Sequence, residues 1–372
     1  LLDEITWMAN GDPSFLSKLK NAWDLHLKKN PNLILVLCGS ISAWIEKNII
    51  SSSAFFGRIS LQLTLQPLPI ADCYQLLDAL GFRRSTQEKL MFLSITGGIP
   101  WYIEQVIGNL SAIENIKNLC FRPSGLFVNE YQHIFHDLFG KHSQVHQDIA
   151  CLLATRDYDY SEISKQLNYA KSSALSDYLN ELIASGYVTQ YSRWSLKTAK
   201  TLPKIKKYRL TDNFLRFYFR YLQNKSTMIQ NDAYINVSPA SLPGWNTMLG
   251  LQFENLILAN RALLHQRLTI NPEEILMSGP YFQRKTSKQH GCQIDYLIQT
   301  KYKTLFVCEI KFSQKTIGMD AVKAVQQKID RLVVPKGFAV LPVLIHASDV
   351  SEDVLDADYF ADIINVTTLN DK

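Results

Sequence analysis

The sequence predicts a multidomain α/β protein, and three observations carry that expectation. Its 372 residues are more than one hydrophobic core usually organises. Hydrophobic residues make up 47% and charged residues 20%, an ordinary balance for a chain that buries cores and keeps a solvated surface. The apolar pattern also changes period along the chain, with strand-like runs near both ends and helix-spaced positions between them.

Leu1-Leu2-Asp3-Glu4 reads as the end of a strand finishing in two acids. Residues 13–29 follow as a helix, with Phe15, Leu19, Ala22, Trp23 and Leu27 on one stripe. Residues 33–38 read as a buried strand ending at Gly39-Ser40, and residues 60–65 as another, just after Gly57-Arg58. An Asp-Glu pair at a strand end resembles the Walker B arrangement, which implies that Asp3 would hold Mg²⁺ through water and Glu4 would polarise the hydrolytic water. Ser40, ending the next strand, stands where an ATPase places its γ-phosphate sensor. Residues 67–142 read as a helical lid, with helices over 71–80, 86–95 and 101–110 and a break at Gly97-Gly98-Ile99-Pro100.

Over 143–222 the order of elements becomes helix, helix, turn, helix and a basic hairpin, which is the order of a winged helix. The hairpin region carries Arg193, Lys197, Lys200, Lys204, Lys206, Lys207 and Arg209 with no acid among them, a phosphate-seeking stretch whose contacts should weaken with salt. The third helix opens with Lys171 but carries Asp177 and Glu181, so it lacks the donors of a base reader. Docking on a neighbouring domain is therefore the competing role for this unit. Residues 211–222 form an aromatic helix whose stripe at 214, 215, 218, 221 and 222 marks it as core rather than a base-stacking platform. Residues 223–245, with Ser238-Pro239 and Pro243-Gly244, read as a linker.

The C-terminal portion, 246–372, holds the most informative motif. Asp295 lies in the apolar run 292–298, and Glu309-Ile310-Lys311 ends the run 304–312, with a polar turn between them. Side chains alternate along a strand, so Glu309 and Lys311 share a face, towards whatever Asp295 also faces. Glu-x-Lys is also the ordinary alternation of a solvated sheet, but Phe306-Val307-Cys308 and Phe312 are too apolar for an open edge. Two carboxylates beside an amine form a hard-cation site suited to Mg²⁺-assisted attack of water on a phosphodiester. Upstream, the helical stretch 250–260 carries Glu254 beside its apolar face of Phe253, Leu256 and Ile257.

Glu254, Asp295 and Glu309-Ile310-Lys311, in that order, resemble the PD-(D/E)XK nuclease superfamily over about the last third of the chain. The resemblance implies a restriction-endonuclease-like α/β domain. It further implies that Asp295 and Glu309 chelate Mg²⁺ or Mn²⁺ with the Ile310 carbonyl, that Lys311 orients or activates the attacking water, and that Glu254 is an accessory ligand. The family's proline before the Asp is Ile294 here, and Gln326 falls where some members place a site-lining Gln. The N-terminal set of Asp3-Glu4, Gly39-Ser40, Gly57-Arg58 and Gly97-Gly98-Ile99-Pro100 resembles AAA+-type ATPases of the archaeal and bacterial group with a C-terminal nuclease-fold domain. That likeness implies a partial P-loop ATPase core over 1–66, with Arg58 as arginine finger or phosphate sensor and assembly into a homo-oligomer through this part. No G-x-x-x-x-G-K-[ST] occurs in the chain, so the expectation is a fragment from Walker B onwards that does not turn over ATP.

A net charge of +5 is mild, but the basic hairpin and the acidic tail of Asp349, Glu352, Asp353, Asp356, Asp358 and Asp362 give a polyanion one attractive face. Six cysteines without C-x-x-C spacing read as free thiols of a cytoplasmic protein, no apolar run approaches a membrane span, and His290 with Cys292 lacks the further ligands of a zinc site. The functional expectation is an ATPase-coupled, Mg²⁺-dependent DNA nuclease. The alternative is a nucleotide-switched DNA-binding regulator whose nuclease-like domain is not catalytic.

Overall fold

The computed structural model describes residues 1–40, 42–128, 139, 143–169, 173–287, 289–313 and 315–368. Lys171, the Lys204 side chain and most of residues 129–142 lie outside that description. The chain is an α/β protein, with two sheets among the described residues, one of three strands and one of five. Among the described residues, no helix is long and apolar enough to cross a membrane.

Helices α1 (Ile5–Gly11) and α2 (Phe15–Leu25) contribute to a small cluster centred on Ile5, Ile49 and Phe55. Neither strand expected here forms. Among the described residues, 33–38 pair with another segment only at one parallel bridge, Leu2 to Leu37, and residues 60–65 join no ladder. A strand needs a neighbour as well as a pattern. Ile34 is 83% exposed and Leu61, Leu63 and Leu65 are 72%, 74% and 93% exposed, so none of the described residues covers these apolar side chains, while Leu37 packs against the small N-terminal cluster.

Next come α3 (Ile70–Ala79), α4 (Thr86–Thr96), α5 (Pro100–Ile103) and α6 (Ala112–Cys120). Ser85 caps α4 by accepting the Glu88 N–H. The break before α5 is steric as well as conformational. A Cβ on Gly98 would lie 2.3 Å from the Leu68 carbonyl oxygen, and the Leu68 N–H donates to the Gly98 carbonyl at 2.7 Å. The expected helix over 101–110 stops at Ile103 because α6 captures its continuation. The Asn115 amide accepts from the Ile107 N–H at 2.7 Å and donates to the Ile107 carbonyl at 3.1 Å, taking both groups from a helical ladder.

The middle of the chain folds as α7 (Ser143–Leu153), β1 (Tyr158–Asp159), α8 (Tyr160–Gln166), α9 (Ser173–Ala184), β2 (Val188–Ser195) and β3 (Lys200–Leu210), with antiparallel strand order β1-β3-β2. Asp159 and Glu162 form a reciprocal capping box that starts α8. Helix α10 (Asn213–Tyr221) is buried except at Arg220, including Phe214, Phe217, Phe219 and Arg216. Residues 223–245 are mostly exposed but anchored, since Ile229, Leu242 and Trp245 are buried and the Tyr221 hydroxyl donates to the Pro243 carbonyl at 3.0 Å.

Helix α11 (Trp245–Ala259) precedes the five-stranded sheet of β4 (Ile275–Gln283), β5 (Cys292–Thr300), β6 (Thr304–Lys311), β7 (Ala339–His346) and β8 (Asp362–Asn365), arranged in that order. Strands β4, β5 and β6 pair antiparallel, whereas β6, β7 and β8 pair parallel. Helix α12 (Met319–Arg331) makes the crossover from β6 to β7. Strand β6 is thus central. One contiguous core runs from Ile70 through α10 and α11 to Val366, so the helices, the small sheet and the large sheet share an interior.

The two sheets also meet directly. Trp194 of β2 is buried, sits edge-on to Tyr281 of β4 with ring centroids 5.0 Å apart, and donates to the Gln299 side chain at 2.9 Å. Gln299 in turn donates to the Leu196 carbonyl at 2.8 Å. Trp194→Phe keeps most of the ring but leaves a buried acceptor unpaired, so a loss of about 1–3 kcal/mol is expected in denaturant unfolding. An unchanged midpoint would show that this contact does not stabilise the junction.

Candidate functional site

The site grows out of an irregularity in β5. The β4–β5 register runs Gly279 to Leu297 and then Tyr281 to Ile294, so β5 spends one extra residue at Asp295-Tyr296. That bulge puts Ile294 and Leu297 into the same hydrophobic cluster, on the face covered by α12, and re-aims Asp295 at the place where the alternation slips. The β5–β6 ladder ends at Tyr296 and Cys308, beyond which Asp295 and Glu309 are the next residues of their strands. The opposite face, with Tyr296, Ile298, Cys308 and Ile310, packs in the core to which α11 belongs.

The carboxyl groups of Asp295 and Glu309 converge on one cation, Lys328 of α12. Its Nζ donates to Asp295 Oδ1 at 3.3 Å and to Glu309 Oε2 at closer range. The remaining two oxygens are also held. Asp295 Oδ2 accepts the Ile310 N–H at 3.0 Å, and Lys311 Nζ lies 3.3 Å from Glu309 Oε1. Burial first, and then the neighbouring Asp295 charge, push the Glu309 carboxyl above the usual range against the pull of Lys328 and Lys311. Burial works against the charge on Lys328, but Asp295 and Glu309 more than offset it and hold its pKa above the ordinary value. The convergence of hard oxygen donors on one cation fits a divalent ion, with Asp295 and Glu309 as the ligands that would hold it.

Glu254 does not join that convergence. Helix α11 lies across the sheet from α12, and the Glu254 carboxylate accepts from Arg209 Nη2 of β3 at 2.5 Å. Arg209 also donates through Nε to Asp157 at 3.0 Å, and the Tyr191 hydroxyl donates to the same Asp157 oxygen at 2.8 Å. Burial raises the Glu254 pKa, Arg209 draws it down and the Asp295 charge raises it, so Glu254 stays in electrostatic reach of the site while bonded elsewhere. Arg209 is therefore corrected from a nucleic-acid contact to a buried ion-pair partner, only 4% exposed. Gln326 is likewise not at the site, since its amide donates to Asp330 at 2.7 Å on the outer side of α12.

Of the other basic residues, Lys197 and Lys200 are exposed, whereas Arg193, Lys206 and Lys207 are half-buried. Lys207 lies over the Phe282 ring, 4.9 Å from its centroid. The Arg193 Nε is buried without a hydrogen-bond partner among the described residues, and its charge acts on Cys292 together with those of Lys328 and Arg331. The second sheet's hairpin thus leans on the large sheet, and its freely solvated cations lie towards the turn.

At the N-terminus, Glu4 accepts from the Ser40 hydroxyl at 3.2 Å, and the Cys38 thiol donates to Asp3 at 2.8 Å. Arg58 faces Asp24 instead, through Nε at 3.0 Å and Nη2 at 2.8 Å. Those bonds hold the Asp24 carboxyl down at about 2, against the opposing effect of desolvation. A folded-state pKa below the unfolded one contributes stability above about pH 4 that is lost as the pH falls through about 2. Arg58→Ala should return the Asp24 titration, followed by NMR, towards the ordinary carboxylate range. Titration unchanged from the wild type would mean that the pair does not persist in solution.

Sequence reasoning passed over Lys328, Arg209's partner Asp157, and Tyr191. Lys328 left a faint signal, because it sits next to Ile329 and three residues after buried Val325, at the border of the stripe that α12 turns to the sheet. The Asp157 contact left none, since it joins residues fifty-two positions apart.

No family model matches the chain. It does have a relative. An uncharacterized protein of Methanocaldococcus jannaschii is 26% identical over 317 residues, covering 84% of this chain and 67% of that protein. The likeness therefore extends well beyond the C-terminal sheet.

Proposed function

We propose that the protein is a metal-dependent enzyme cleaving DNA phosphodiesters, with 143–222 a winged helix and 246–372 a restriction-endonuclease-like domain. The observation that supports this best is the convergence of Asp295 and Glu309 on a single cation beside Lys311, next to a bulge and at the end of a central strand. A bound Mg²⁺ or Mn²⁺ would polarise a phosphoryl oxygen and acidify a water. Asp295 and Glu309 would hold the ion, with the Ile310 carbonyl as a further ligand. Lys311, 37% exposed at its side chain, orients the attacking water and balances charge on the phosphate. The exposed Lys197 and Lys200 meet DNA phosphates, which makes binding salt-dependent.

ATP coupling belongs to the same reading, with residues 1–66 as part of an AAA+-type core above the lid and a homo-oligomer formed through it. Glu4 accepts from the Ser40 hydroxyl and Asp3 from the Cys38 thiol, but Arg58 is committed to Asp24 and the chain carries no phosphate-binding loop. These residues do not by themselves fit a nucleotide, and no step is assigned to ATP.

The test is cleavage of single- and double-stranded DNA with Mg²⁺ or Mn²⁺, comparing the wild type with Asp295→Ala and Lys311→Ala. Equal cutting by all three would overturn the assignment. The presence of Lys328 between the carboxylates favours a second reading, a nucleotide-switched DNA-binding regulator whose nuclease-like domain is closed to metal. Under that reading DNA binding survives Glu309→Ala, and no divalent-dependent cleavage occurs.

A further inference from the structure

We propose that Lys328 is a tethered counter-ion occupying the seat of the divalent cation, so that the site loads metal only as the lysine swings out. This rests on the metal-site reading of Asp295 and Glu309 and adds what controls its loading. The four carboxylate oxygens divide into two pairs. The outer pair, Asp295 Oδ2 and Glu309 Oε1, is held by the Ile310 N–H and by Lys311. The inner pair, Asp295 Oδ1 and Glu309 Oε2, is the one shared by a single atom, Lys328 Nζ. A divalent ion held by both carboxylates would compete with Lys328 for that inner pair, so metal and ammonium would exclude each other both sterically and by charge.

The fold makes such an exchange feasible. Glu309 is 5% exposed, and two carboxylates at this depth without a cation would repel strongly. Lys328 neutralises them in the metal-free protein. Its side chain is 27% exposed, so the flexible stem has a route to solvent without movement of α12. Lys311 is a different case. It approaches Glu309 from the outer oxygen and can stay in place when metal enters.

Mn²⁺ binding to the full chain, measured by calorimetry, separates the two lysines. Lys328→Met should bind Mn²⁺ tighter than wild type on the order of tenfold or more, because a competing positive charge has gone. Lys328→Arg should bind no tighter than wild type, and Asp295→Asn should bind more weakly. A second readout leaves the sequence untouched: acylation of Lys328 in the wild-type protein, followed by mass spectrometry, should rise when Mn²⁺ is added while exposed Lys197 stays constant. Wild-type binding with no gain in Lys328→Met, or Mn²⁺ binding with no change in Lys328 labelling, overturns this inference and leaves the proposed function standing. Failure of both wild type and Lys328→Met to bind Mn²⁺ overturns the two together.

Discussion

Asp295→Asn and Glu309→Gln should each lower divalent-dependent DNA cleavage by more than about a hundredfold, the size of loss that even outer-shell partners of a metal can produce. Both substitutions keep volume and hydrogen-bonding capacity while removing one negative charge from the pair that converges on Lys328. Their effects should not add, since each alone leaves a single carboxylate opposed by the resident ammonium of Lys328 and, beside Glu309, that of Lys311. Folding should survive, because an amide can still accept the Ile310 N–H at position 295 and the Lys328 donor at position 309. Cleavage by either variant within a few fold of wild type would rule out the metal-ligand role. Lys311→Ala is expected to cost cleavage with little change in Mn²⁺ affinity, which distinguishes water and phosphate handling from ion holding.

Arg209→Ala should destabilise the protein by about 3–5 kcal/mol, the cost of removing one member of a buried ion pair and stranding the others. Arg209 joins Asp157 and Glu254, whose side chains are 8% and 12% exposed, across the junction between the small sheet and α11. Burial alone would draw the guanidinium pKa down, but Glu254 and Asp157 hold it above the ordinary range, so the group is charged in the interior. Without it, two carboxylates remain in a volume with few other donors, one of them the Tyr191 hydroxyl. Arg209→Met combined with Glu254→Gln should recover part of the loss, because the stranded charge is removed with its partner. Denaturant midpoints of the single and double variants check this. Strict additivity would mean that the pair contributes nothing as a pair.

Much of the C-terminal arrangement was legible in the chain itself. The apolar runs around Asp295 and Glu309 fall within β5 and β6, and β6 is central, because β-branched and aromatic residues flank the charges on both sides. The helix carrying Glu254 and the aromatic helix α10 follow from their periodicity. The same logic failed at residues 33–38 and 60–65, where the pattern of a strand is present but, among the described residues, no ladder forms beyond the single Leu2–Leu37 bridge. It failed again beyond Ile103, where one amide on α6 redirects the backbone of Ile107.

By itself, the sequence determined that two acids and a lysine lie on neighbouring strands and that a basic hairpin precedes them, because alternation and charge are local properties of the chain. Which groups those charges meet was decided only by tertiary structure. The bulge at Asp295, the arrival of Lys328 from α12 and the capture of Glu254 by Arg209 all depend on contacts between segments far apart in sequence. A buried charge takes whatever opposite charge the packing brings within reach, and no local pattern records that choice.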